Sequence, residues 1–454
     1  MTALSFACLN GHTIIVGMLL EKFPNIDLCD NNGRSPLLMA SKNGHTDIVR
    51  LLLENNPSVD LQDNDGMTAL SFACLNGHTI IVGMLLEKFP NIDLCDNNGR
   101  SPLLMASKNG HTDIVRLLLE NNPSVDLQDN DGMTALSFAC LNGHTIIVDM
   151  LLEKFPNIDL CDNNGRSPLL MASKNGHTDI VRLLLENNPS VDLQDKDGMT
   201  ALSFACFKRA CYYCDAVAVR EKPNLDICDK NGGSPLLVAS CKKNSDIVRL
   251  LLERNPNVNL CDIAGCSPLS MACYIGNIDT VRLLFKSKPN VDICDKDGYC
   301  PCLLQQLWYS QQLIKHKANI NAQTHDGGNA LYFSTLNGNI EITQLLLENK
   351  ADCNICINSK QSIQDALIDL PIITLDTEKQ ALYDSLIEHG SLHVKDYVKM
   401  KSIDYAFGVV AGSSPLHIAC FIGLKDVVSC LLDHHANINL KKKMTPLHCF
   451  MHAN

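Results

Sequence analysis

Residues 1–65 recur letter for letter as residues 67–131. They recur again as residues 133–197 with two changes, Asp149 where the preceding copy has Gly83 and Lys196 where it has Asn130. Each 66-residue block is itself a pair of similar 33-residue stretches. A fixed short period is the signature of small supersecondary units, each covering the apolar face of the next, rather than of one closed core. The period sets the fold class and argues against an enzyme; it leaves the partner unnamed.

The stretch from Gly33 to Asp65 shows what one unit does. Ser35-Pro36 is a helix start, a hydroxyl N-cap followed by proline at the first helical position, where the missing N–H costs nothing. Leu37, Leu38, Met39 and Ala40 form a short first helix that Asn43-Gly44 ends. A second helix begins near Thr46, and Ile48, Val49, Leu51, Leu52 and Leu53 are dense enough to bury most of its girth. Glu54-Asn55-Asn56-Pro57 stops it, and Val59 to Gly66 is a short extended turn into the next unit. Helices shorter than about 12–15 residues are marginal alone in water, so neighbouring units must supply the core.

These residues carry a resemblance. The spacing D-x-x-G-x-S/T-P-L-x-x-A-x-x-x-G-H-x-x-x-V-x-x-L-L, met by Asp30, Gly33, Ser35, Pro36, Leu37, Ala40, Gly44, His45, Val49, Leu52 and Leu53, is similar to that of the ankyrin repeat. The resemblance implies an all-α solenoid of stacked helix-turn-helix units joined by short β-hairpin-like turns. About fourteen units begin near residues 1, 33, 66, 99, 132, 165, 198, 232, 265, 298, 327, 360, 412 and 443. The chain divides into near-identical repeats (1–197), diverged repeats (198–359), a degenerate repeat with an insertion (360–411) and terminal repeats, the last partial (412–454). Within the degenerate part, Gln380 to Glu388 still reads as a second helix and Leu392 to Ala411 as a long insertion. Unit 198–231, where Lys208-Arg209-Ala210 replaces Asn-Gly-His, marks the join between young and old repeats, and unit 298–326 is about four residues short.

Two departures from the family pattern carry expectations. The family's histidine after Pro-Leu, which ties neighbouring turns, is replaced by Leu38 or Ser71 and returns only at His417 and His448, so looser turns are expected in the triplicate. Phe23 and Phe89 stand where glycine is usual; phenylalanine is costly at positive φ, so that helix end is expected to close differently. Both chain ends cut into a unit, which suggests a truncated product or a segment of a longer protein.

The family resemblance places partner contacts on the concave side, lined by turn tips and first-helix ends. Carried over, these positions are Asn31, Asn32, Arg34, Lys42, Asn43 and Thr46 in units of the Gly33 type. In units of the Gly66 type they are Asn64, Asp65, Met67, Leu75, Asn76 and Thr79. The surface then alternates. Arg34/Lys42, Arg100/Lys108 and Arg166/Lys174 are cationic stations; Met67/Leu75, Met133/Leu141 and Met199/Phe207 are exposed apolar ones. With helices about 10 Å apart, like stations recur about every 20 Å. The competing reading of the alternation is a recent tandem duplication with no selected ligand period.

Candidate chemistry is thin. The evenly spaced histidines His12, His45, His78, His111, His144 and His177 read as structural loop residues, because successive units hold them too far apart to share a metal. Cys206, Cys211 and Cys214 have C-x4-C-x2-C spacing, and Cys353 and Cys356 form a C-x2-C. Cys206 is simply the repeat's own cysteine, so a metal-responsive protein is only an alternative. The turn cysteines Cys228, Cys261 and Cys294 form a column whose neighbours are too distant for disulfides between units. There is no phosphate-binding glycine loop, G-x-S-x-G or H-E-x-x-H.

A net charge of −12 argues against a phosphate-backbone ligand, and no apolar run reaches the roughly 18 residues of a membrane span. The expected molecule is a monomeric, non-enzymatic scaffold that binds a protein partner, inserts in no membrane and needs no cofactor or metal. A reducing cytoplasmic setting, with the 22 cysteines as free thiols, completes the expectation. The first alternative is a recognition segment of a larger signalling or enzyme-bearing protein.

Overall fold

The computed structural model describes residues 1–22, 24–208, 223–296, 298–301, 307–358, 380 and 411–442. Two compact units are present, residues 1–230 and 231–454, and each is a stack of helix pairs. Among the described residues there is no strand. Phe23, Cys211, Cys214, the second helix read at Gln380 to Glu388 (Gln380 apart), nearly all of the 392–411 insertion, His448 and the partial unit from 443 lie outside the described residues.

In the first unit, Pro36–Asn43 pairs with Thr46–Glu54, Ala69–Asn76 with Thr79–Leu86, and Pro102–Asn109 with Thr112–Glu120. First helices pack on first helices of the adjacent repeats, and second helices on second. Local chemistry sets the boundaries. Ser35 accepts the Leu38 N–H at 3.2 Å with Pro36 beside it, and Gly44 closes the helix at φ 79°. In the second helix Ile48, Val49, Leu52 and Leu53 are buried, whereas Leu51 is only half-buried, so the buried arc is narrower than its leucine content suggests.

The Gly-His dipeptide acts between repeats. His78 Nε2 donates to Lys42 O at 3.2 Å, one of the carbonyls left without an intrahelical partner at the end of the preceding first helix. The contact recurs from His45 to Leu9, His111 to Leu75, His144 to Lys108 and His177 to Leu141. Gly44 makes room for it: a Cβ there would sit 2.7 Å from His78 Cε1. The structural role expected of these histidines is therefore to tie one repeat to the next.

Two expectations fail. The turns of the triplicate are well tied without the family's histidine. Ser71 takes over locally, its hydroxyl 2.9 Å from that of the N-cap Thr68. Between repeats, Asn64 N donates to Asn32 O at 2.9 Å, Asn97 N to Asp65 O at 2.9 Å, and Gln62 Nε2 to Cys95 O at 3.0 Å. Phe89 and Phe155 also do not close their helices differently. They adopt φ 52° and 53°, the left-handed conformation taken by Asn56 and Asn122 at the same place, with side chains 90% and 93% exposed. Stacking dictates the chain path and the residue bears the strain.

In the second unit, Pro235–Cys241 pairs with Ser245–Leu252, Pro268–Ile275 with Ile278–Lys286, Ala330–Leu336 with Ile340–Glu348, and Pro415–Ile422 with Lys425–Asp433. The repeat next to 327–358 is not the one expected to begin at 360 but the one beginning at 412. Gly412 N donates to Asn358 O, Ile357 N to Ser413 O and Asn437 N to Asn354 Oδ1. The last of these is the rung that joins ordinary neighbours elsewhere, as from Ser58 N to Asp27 Oδ1. The repeat ending at 358 thus stacks directly on the one beginning at 412.

Candidate functional site

The turn tips and first-helix ends of the triplicate carry side chains of very different freedom. Arg100 is held by its own turn. Its guanidinium meets the buried Asp96 carboxylate at 2.6 Å, and Asp96 Oδ1 also accepts the Arg100 N–H at 2.8 Å. Arg34 with Asp30 and Arg166 with Asp162 repeat the arrangement. Burial works to raise the Asp96 carboxyl, but the side-chain and backbone hydrogen bonds from Arg100 outweigh it and hold it below the usual carboxylate range. Asp30 is held low likewise, burial opposing and the Arg34 and Asn32 hydrogen bonds prevailing. The three arginines are therefore turn locks, each paired with a carboxylate of its own turn, which their reading as cationic stations leaves out.

The methionines are corrected too. Met67 and Met133 are each only 5% exposed. Met67 packs with Leu38, Phe72 and Met105, and Met133 with Leu104, Phe138 and Met171. Only Leu75 and Leu141, packed against those clusters, remain half-exposed. A methionine just after the turn glycine looks exposed in one isolated unit, but the first helices on both sides cover it.

Asn31, Asn32, Asn64 and Asp65 are exposed at the tips, yet their main chains carry the inter-repeat ladder, and Asn64 Nδ2 donates to Asn31 O at 3.2 Å. Asn76 Nδ2 donates to Lys42 O at 2.9 Å and Asn43 Nδ2 to Met39 O at 2.9 Å. Thr46 and Thr79 begin the second helices and are half-buried.

The lysines keep their charge available. Lys42 Nζ lies 4.6 Å from the centre of the Phe72 ring, Lys108 Nζ 4.7 Å from Phe138 and Lys174 Nζ 5.1 Å from Phe204. A ring face attracts a cation without neutralising it, so each ammonium is steered but still able to meet an anion. Phe72, Phe138 and Phe204 are not singled out in the sequence, where they stand within apolar first helices. The signal was there: lysine ends one first helix, and phenylalanine stands 30 positions on in the next.

Cys206, Cys353 and Cys356 show no shared site among the described residues. Cys206 is buried on its first helix, as are Cys8, Cys74 and Cys140, and burial pushes the Cys8 thiol up to about 12. Cys353 and Cys356 are buried and donate to different carbonyls, of His434 and Asn354. Among the described residues no group of three or more His, Cys, Asp or Glu is placed to hold a metal ion. No helix of the described part is long and apolar enough to cross a membrane.

Comparison with known families agrees with the geometry. Profiles described as ankyrin repeats match residues 4–94, 85–161, 155–218, 210–297, 311–347 and 411–443. The chain belongs to the ankyrin-repeat family. No curated protein matches it individually. No match covers residues 348–410. Ankyrin repeats are protein-protein interaction modules, typically without enzymatic activity of their own.

Proposed function

We propose that the chain is a non-enzymatic scaffold that binds a protein segment along the edge formed by its turn tips and first-helix ends. The observation that carries this reading is the thrice-repeated lysine on a phenylalanine ring, beside a half-exposed leucine at Leu75 and Leu141. Such a station suits a carboxylate next to an apolar side chain. At about 10 Å per repeat, stations lie about 20 Å apart. A long partner carrying acidic and apolar anchors at that interval gains avidity by engaging several at once. The exposed tips Asn31, Asn32, Asn64 and Asp65 would flank the contact, and Arg34, Arg100 and Arg166 would shape it from beneath.

The reading extends to a monomer working inside the cell. The test is a pull-down read by mass spectrometry, comparing the wild type with a variant carrying Lys42→Glu, Lys108→Glu and Lys174→Glu. Loss of a protein from the variant alone supports the reading. Equal recovery from both moves recognition away from these stations. Arginine variants would serve poorly, because Glu at 100 would face Asp96 and open the turn.

A further inference from the structure

The turn cysteines of both units are followed, six residues on, by the residue that starts the next first helix. That residue is an N-cap serine in pairs such as Cys29/Ser35 and Cys261/Ser267. At one turn it is a second cysteine, giving Cys294 and Cys300. The turn between them is tightly closed. Asp295 N donates to Tyr299 O at 3.0 Å, Gly298 N to Asp295 O at 3.0 Å, and Tyr299 N to Asp295 Oδ1 at 2.8 Å. Positions 294 and 300, one residue outside the Asp295–Tyr299 hydrogen bond on either side, therefore face each other across the turn. Facing pairs have Cα atoms about 4.5–5.5 Å apart, inside the window of about 4.4–6.8 Å that a disulfide needs. The two thiols are hydrogen-bonding neighbours. Cys294 is half-buried and open to a small reagent, while Cys300 is buried beneath it.

We propose that Cys294 and Cys300 form a modification site, a reversible disulfide across this turn made by exchange with a small-molecule disulfide such as oxidised glutathione. The Cys294 thiolate attacks one sulfur of the reagent and expels a glutathione thiolate. Cys300, on losing its proton, then displaces the second glutathione and closes the bond. Two protein thiols are oxidised, one reagent disulfide is reduced to two thiols, and the two protons pass to solvent or the leaving groups. The bond would fix the turn tip that carries exposed Tyr299, at the position Met67 holds in the triplicate. Burial, the Cys300 thiol and then Asp295 and Asp292 push Cys294 up to about 12. Little thiolate exists at neutral pH, so closure is slow there and quickens by about tenfold per pH unit as the thiolate fraction rises.

The experiment incubates the full chain with oxidised glutathione between pH 7 and 9, blocks free thiols, and digests with trypsin after denaturation. Lys296 lies between the two cysteines, so the peptides on either side stay together only if the disulfide has formed. The expected result is a linked pair, two hydrogens lighter than the sum of its halves and separated by reductant. It should form faster at higher pH and be absent from Cys300→Ser, a variant that restores the N-cap of the sibling turns and is checked for folding by circular dichroism. Cys294 remaining free or carrying glutathione in the wild type would overturn the proposal. So would a link that survives in Cys300→Ser, or one that forms as readily when the chain is unfolded in guanidinium.

Discussion

The tie between repeats can be tested by removing the same histidine at two places that differ in one hydrogen bond. His111 Nε2 reaches Leu75 O at 3.2 Å, and Asn109 Nδ2 reaches the same carbonyl at 3.1 Å. His177 Nε2 reaches Leu141 O at 3.1 Å, but there Asn175 turns back to Met171 O instead. Both rings are half-buried and lie against a glycine, Gly77 or Gly143, so the packing lost on truncation to alanine is matched. His111→Ala leaves its carbonyl satisfied by Asn109 and should cost about 0.5–1.5 kcal/mol, the net worth of one hydrogen bond. His177→Ala strips its carbonyl of the side-chain donor and should cost about 1–3 kcal/mol. A difference near 1 kcal/mol moves the urea midpoint of the affected transition by about 0.3–1 M for slopes of 1–3 kcal/mol/M. Far-UV circular dichroism would follow the helices. Asn109→Ala combined with His111→Ala should exceed the sum of the two single variants, because either donor alone covers Leu75 O. Equal costs at 111 and 177, together with strict additivity at 109 and 111, would refute the view that these side chains act by satisfying the carbonyl.

Two glycines should respond oppositely to alanine. Gly44→Ala meets both φ 79° and the His78 ring and should destabilise by at least about 1–2 kcal/mol, whereas Gly83, mid-helix with nothing within 4 Å of a Cβ, should gain about 0.5–1 kcal/mol in the same unfolding assay. Phe89→Asn relieves a left-handed aromatic that touches little, so the thermal midpoint should rise, by an amount worth about 1 kcal/mol; no rise would show that the strain is not real. Acid should loosen the triplicate through Asp30 and Asp96. Their folded carboxyls titrate below the unfolded value near 4, so their stabilisation is complete above that value and is lost as pH falls through the lower folded one. Arg100→Gln should lessen this acid sensitivity in pH-dependent urea titrations while lowering stability at neutral pH.

Much of the fold was legible because its signals are local. Ser35 caps Leu38 three residues away, Pro36 stands where its missing N–H is harmless, and Gly44 ends the helix it terminates. The candidate site was legible only as a set of positions. The reading of Arg34 as part of a cationic station leaves out Asp30 four residues earlier, although that pair lies within one turn and is legible in the sequence. The burial of Met67 could not, since Leu38 and Met105 come from the two neighbouring repeats. The closure at Phe89 was misread for a related reason: residue preference at one position was weighed without the stacking that overrides it.

The sequence by itself determined the repeat, its boundaries and its caps, because a 33-residue period and contacts over three or four residues are written in the chain. Only the tertiary structure decided which side chains stay free at the proposed binding edge. That depends on what the adjacent repeat covers: Phe72 beneath Lys42, Met67 beneath its neighbours, Leu75 left half open. It also decided that residues 358 and 412 are joined in one stack across the segment between them. Hydrogen-bond rungs such as Asn437 to Asn354 form wherever two repeats meet, whatever length of chain separates them.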